Sequence, residues 1–156
     1  IAKLISPSSD AFLELKDRGV LRTKNIVGEL GEYYAVDFYN ANSKLPNLSF
    51  APPTVQNVDA LSRNGEIYSI KAVSSKKGTT GSFWDPDSIK RNEQKFHYLL
   101  IVILDNSYSL DMILELTWVD FFKYKRFNKR MNNFNISLTN QLIDSVKLIY
   151  ERQNSR

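Results

Sequence analysis

Residues 58–73, VDALSRNGEIYSIKAV, decide how this chain is read. Two short runs of strand-forming residues, at 55–61 and 66–73, flank Ser62-Arg63-Asn64-Gly65, a turn sequence, and together they predict an antiparallel hairpin. Along the second run, alternation places Ile67, Ser69, Lys71 and Val73 on one side. Lys71 thus falls on a strand expected to be largely buried, where an ammonium group needs an acidic partner or a chemical task. Asp59, 12 residues upstream on the first run, can be brought to the same sheet edge by antiparallel pairing.

An aspartate beside a lysine at a sheet edge is the minimum equipment for metal-assisted phosphodiester hydrolysis. The carboxylate holds Mg²⁺, with Mn²⁺ able to substitute, and the cation neutralises phosphate charge and acidifies a bound water. The lysine orients or helps deprotonate that water and steadies the transition state. One carboxylate is a poor site for a hard cation, so a second acid is expected close by. The stretch 24–42, carrying GELGEYYAVDFYNA, predicts a helix on which Ile26, Glu29, Tyr33 and Val36 form one stripe. Glu29 interrupts that apolar line and is expected to point toward Asp59. Glu32 borders the same face beside Gly28 and Ala35, and Gly28, Gly31 and Ala35 are small enough for the helix to lie close against the sheet.

The rest of the chain supplies a scaffold for such a site. Residues 6–20 read as a short helix capped by Ser8, Ser9 or Asp10 and closing near Gly19. A loop runs through Pro46 and Pro52-Pro53. After the hairpin come a polar loop, SSKKGTTGSFWDPD, a helix at 87–96, and HYLLIVILD, a buried central strand by length and β-branching. Asn106-Ser107 is a turn before a strand at 109–116. TWVDFFKYKRF then reads as a helix capped by Thr117, and a last helix from about Thr139 would align Leu142, Ile143, Val146, Ile149 and Tyr150. The sum is one mixed α/β domain spanning residues 1–156, with helices flanking a small sheet.

Composition narrows the chemistry. The chain has no cysteine and a single histidine, which excludes disulfides, thiol nucleophiles and clustered His/Cys metal sites, so any metal must be a hard cation on oxygen ligands. The absence of cysteine is compatible with a cytoplasmic setting, and no apolar run reaches the roughly 18 residues of a membrane span. A net charge of +4 suits a polyanionic partner.

Taken together, GELGEYYAV on a helix, VDALSRNGEIYSIKAV as a hairpin, then a polar loop, a helix and YLLIVIL, resemble the PD-(D/E)XK nucleases, and among them the type II restriction endonucleases. The likeness runs from about Asn25 to Leu116 and is one of pattern. It implies a restriction-endonuclease-like mixed sheet with flanking helices and a Mg²⁺-dependent endonuclease acting at a specific site in double-stranded DNA. Catalytic roles then fall to Asp59, Lys71, Glu29 and Ser69, and metal ligation to Asp59, Glu29 and Asp85. The sequence departs from the family at Ser69, where Asp or Glu is usual. Some restriction enzymes are similar in carrying Ser-x-Lys with an acid displaced into the following segment. Asp85, Asp87 and Glu93 are candidates for that acid, Glu29 is the alternative from the helix, and Glu66, on the opposite strand face, is the weakest option.

Two further clusters point to DNA. Lys76, Lys77, Thr79, Thr80, Ser82 and Trp84 follow the second hairpin strand, and the resemblance puts this loop beside the duplex. Lys123, Lys125, Arg126, Lys129 and Arg130 crowd five cations into eight positions around Tyr124 and Phe127. The plainer readings are an exposed loop, a solvated helix face and, for Asp59 and Lys71, a structural ion pair. A homodimer is expected, because a two-fold enzyme matches a palindromic site. A repair or junction nuclease of the same fold and a catalytically silent DNA-binding module are the competing functions.

Overall fold

The computed structural model describes residues 26–55 and 57–153, together with Glu14 and Asp17. The expected helix at 6–20 lies outside the described residues except at Glu14 and Asp17, which are helical. From Ile26 the chain runs α1 (Ile26–Ala41), β1 (Leu48–Phe50), β2 (Ala60–Ser62), β3 (Ile67–Val73), α2 (Pro86–Lys90), β4 (Tyr98–Leu104) and β5 (Leu110–Thr117). It continues through α3 (Trp118–Tyr124), β6 (Arg126–Asn128), β7 (Asn133–Asn135), α4 (Asn140–Ser145) and β8 (Lys147–Glu151).

β4 is apolar on both faces and therefore has to be covered on both. It pairs in parallel with β3 and antiparallel with β5, at the centre of a six-stranded mixed sheet ordered β1-β2-β3-β4-β5-β8. Alternate residues of the strands face two separate cores. Tyr68, Ile70, Leu100 and Val102 pack under α1 against Leu30, Tyr34, Ala35 and Tyr39. Val73, Leu99, Ile101 and Ile103 face Phe83, Phe96, Phe121, Phe134 and Leu142 on the other side. The fold is thus mixed α/β with helices flanking the sheet, as the sequence order suggests. Among the described residues no helix is long and apolar enough to cross a membrane.

Four local expectations are corrected. β1 lies inside the stretch expected to be a Pro/Asn loop, where Asn40 fixes it with a donated and an accepted bond to the Leu48 main chain. The helix expected at 87–96 stops at Lys90, since Asn92 turns left-handed with φ 58°. Thr117 does cap α3, through a reciprocal pair of bonds with Asp120, but the helix ends at Tyr124 and residues 126–128 are extended. The last helix ends at Ser145, and 147–151 pair with β5 as an edge strand. Strand there satisfies the outer hydrogen-bonding edge of β5, and Ile149 and Tyr150 join the α1-side core, not the core beneath Leu142.

How close α1 lies is set by one glycine. A Cβ on Gly31 would overlap the Ala72 Cβ, closer than real Cβ atoms come. Helix propensity alone would favour Gly31→Ala by up to ~1 kcal/mol. The clash instead predicts a loss of about 1–3 kcal/mol in urea unfolding, reduced when Ala72→Gly is also present. A gain in stability from Gly31→Ala would contradict this packing.

Candidate active site

The site begins where β2 leaves β3. Their ladder pairs Leu61 with Ile67 and Ala60 with Tyr68, and the Asp59 N–H adds a last bond to the Tyr68 carbonyl at 2.9 Å. The Asp59 carbonyl then accepts from Ala51 on the other side, while its carboxylate Oδ2 accepts the Ile70 N–H at 2.6 Å. One side chain therefore takes the place of the next strand residue. Beyond Ile70, β3 pairs only with β4, so its outer edge at Lys71 is left open.

A cavity of about 180 Å³ fills that opening, and Gly28, Glu32, Asp59, Lys71 and Gly81 contribute to its wall. Gly28 and Glu32 are one helical turn apart on α1 and lie alongside the Gly31–Ala72 contact that holds the helix down. Lys71 is fixed by donating from Nζ to the Ser82 carbonyl at 2.9 Å, with its ammonium 4.9 Å from the centre of the Phe83 ring.

The three ionisable groups act on one another. Burial pushes the Glu32 carboxyl up to about 7, the negative charges of Asp59 and Glu29 add to the rise, and Lys71 opposes it. Burial also raises Asp59, against the Ile70 N–H, the Lys71 charge and the Ser69 hydroxyl, which all favour its ionised form. Lys71 is lowered by burial and partly restored by Asp59 and Glu32. Glu32 and Asp59 could hold a hard divalent ion, with water or phosphate oxygens completing its shell. Among the described residues no third His, Cys, Asp or Glu joins them.

Glu32, and not Glu29, lines the cavity beside Asp59, because the buried stripe of α1 runs through Leu30, Gly31, Tyr34, Ala35 and Tyr39. Glu29 acts on Glu32 through its charge. Ser69 is 1% exposed and outside the cavity wall; its hydroxyl makes no well-formed hydrogen bond but lies near enough to Asp59 to favour the carboxylate. Asp85 does not reach the site. It caps α2, accepting from the Ser88 hydroxyl at 2.6 Å, and pairs with Lys95 at 3.2 Å. Glu93 pairs with Arg91 at 2.8 Å, Glu66 accepts from the Ser62 hydroxyl, and Asp87 lies in the first turn of α2.

The DNA-binding candidates divide in the same way. Lys76, Lys77, Lys123, Lys129 and Arg130 are exposed, and Trp84 is half-exposed. Thr79 bridges to Ser137, with their hydroxyls 3.0 Å apart. Thr80 is buried and accepts from the Ile136 N–H, so it is removed from any surface. Lys125 is partly buried and folds back to donate to the Phe122 carbonyl, 3.5 Å from the centre of that ring, whereas Arg126 is exposed. Sequence reading missed the neighbours that Arg126, Lys129 and Arg130 share, Asn128 and Asn135, because it took the segment for a helix. The chain matches no family model, and no curated protein matches it.

The Glu32 environment has a pH consequence. With a folded-state value near 7 against 4.5 when solvated, the protonated side chain favours the fold below pH 4.5, and that contribution is lost as pH rises through 7. Glu32→Gln should therefore stabilise the metal-free protein at pH 8, by on the order of 1–2 kcal/mol once screening of a partly open group is allowed for. The gain should vanish toward pH 4.5. Urea unfolding in EDTA at both pH values measures it, and no gain at pH 8 would place Glu32 in solvent.

Proposed function

We propose that the protein is a metal-dependent endonuclease of the restriction-endonuclease-like fold, hydrolysing phosphodiester bonds of double-stranded DNA at a specific site. The observation that carries this reading is the convergence of Asp59, Glu32 and Lys71 on one small cavity at an opened strand edge. The sequence pattern that resembles PD-(D/E)XK nucleases centres on the same Asp59 and Lys71, and the missing acid at Ser69 is supplied here by Glu32 from α1. Asp59 and Glu32 are the residues that would hold Mg²⁺ or Mn²⁺, whose chemistry when bound is to neutralise phosphate charge and acidify a water. Lys71 orients the attacking water and hydrogen-bonds the phosphoryl oxygens as their charge grows. Its burial-lowered pKa also eases proton exchange with that water. Cutting both strands at a palindrome calls for two such centres, hence a homodimer.

The second reading, a silent DNA-binding module, is favoured by the cavity's having two acids and, among the described residues, no third. Plasmid and phage DNA incubated with Mg²⁺ or with EDTA separate the two. Discrete metal-dependent fragments support the endonuclease, a smear indicates a nuclease without a fixed site, and binding without cutting supports the silent module. Asp59→Asn, which keeps an acceptor for the Ile70 N–H, and Lys71→Ala should each slow cleavage at least ~100-fold, with unchanged circular dichroism and retained duplex binding. Wild-type cleavage rates in either variant would remove the assignment.

A further inference from the structure

The titratable pairs far from the cavity serve the fold: Arg152 clasps Asp105 and the Leu110 carbonyl, and the Tyr39 hydroxyl donates to Glu115. The hairpin formed by β6 and β7 is different. Its turn, Lys129-Arg130-Met131-Asn132, is exposed at all four residues, with Met131 at 55%. The turn is nevertheless fixed, because the Met131 N–H donates to the Asn128 side chain and Asn132 takes the left-handed conformation, φ 49°. Its base is anchored on the loop that follows β3. Phe83 N–H donates to the Phe134 carbonyl at 2.8 Å, and the buried Asn133 donates to the Ser82 hydroxyl at 2.6 Å. The carbonyl of that same Ser82 holds Lys71. Along the hairpin runs an open groove of about 470 Å³ whose walls include Arg126, Lys129, Arg130, Asn128 and Asn135 and, among the described residues, no carboxylate.

A rigid arm that ends in an unbranched apolar side chain between cations and amides is complementary to a particular surface. Cations fit the phosphates along a duplex groove. The minor groove is about 6 Å wide, and the tip of a tight turn is slim enough to enter it. Methionine is among the side chains that enter between base steps and unstack them. We propose that the β6–β7 hairpin is a minor-groove wedge: Arg126, Lys129 and Arg130 engage phosphates while Met131 enters a base step and kinks the duplex. The inference rests on the reading of duplex DNA as substrate and adds how that DNA is held and bent next to the cavity. Because the hairpin and Lys71 share one loop, the kink is delivered at a fixed offset from Asp59.

The test is a duplex of about 30 base pairs carrying a fluorescence donor and acceptor at its ends, titrated in EDTA so that nothing is cut. Wild type should shorten the end-to-end distance, as a kink of roughly 20–90° requires. Met131→Ala should abolish the shortening and leave the salt dependence of binding unchanged. Lys129→Ala with Arg130→Ala should weaken binding to all sequences and flatten the log–log salt slope by about two. Unchanged bending in Met131→Ala overturns the wedge, and an unchanged slope in the double variant overturns the hairpin as the duplex surface. Wild type that bends DNA but never cuts it in Mg²⁺ would overturn the endonuclease and leave this inference standing. Cutting that survives in a variant series with no effect on bending or slope does the reverse.

Discussion

The hydrogen bond from the Ile70 N–H to the Asp59 carboxylate, 2.6 Å long, is the constraint on which the site depends. An antiparallel ladder that continued past Ala60 would satisfy Ile70 through a neighbouring main chain and bury the flank of Lys71. By capping that N–H with a side chain, Asp59 ends the ladder without leaving an orphan donor, and β2 turns away toward β1. The space released is what Glu32 and Gly81 line together with Lys71. Loss of the carboxylate would remove both a ligand and the device that opens the edge, so Asp59→Asn, which keeps an acceptor for Ile70, is the cleaner probe of chemistry.

The charges in that space are held in place by packing on both faces of the sheet. Gly31 lets α1 descend until it touches Ala72, which brings Glu32 to the cavity wall and forces its carboxyl into a partly desolvated position beside Asp59. On the opposite face Phe83 packs 4.7 Å from Phe121 between ring centres, and this fixes the loop whose Ser82 carbonyl receives Lys71. The arrangement carries more negative than positive charge in a confined volume. On the reading proposed above, that excess would be offset by a divalent cation, which in turn would draw phosphate oxygens.

The turn and the strand of Lys71 were legible because their signals are local: alternation, a Gly-containing turn, and a long β-branched run for β4; the first strand, expected at 55–61, is only Ala60–Ser62, with Asp59 just before it. The Ser62–Gly65 turn forms as read, with Gly65 at φ 82°. What could not be read locally went wrong for long-range reasons. The choice between Glu29 and Glu32 turns on which small residue of α1 meets the sheet, and that is decided by Ala72 more than forty positions away. Val146, Ile149 and Tyr150 fit helical spacing, yet the unpaired edge of β5 draws 147–151 into a strand. The cations at 123–130 fit one helix face, but Lys125 leaves the helix in an extended conformation and the remainder folds as a hairpin on the loop after β3.

If Asp59 and Glu32 form a single divalent-metal centre beside Lys71, as proposed, a crystal of the protein with an uncut duplex and Mn²⁺, measured for anomalous scattering, should show one manganese peak. That peak should be bonded by carboxylate oxygens of both Asp59 and Glu32, with a phosphate oxygen in its shell. A peak at Asp85 or Glu93, or none at Asp59, would contradict it.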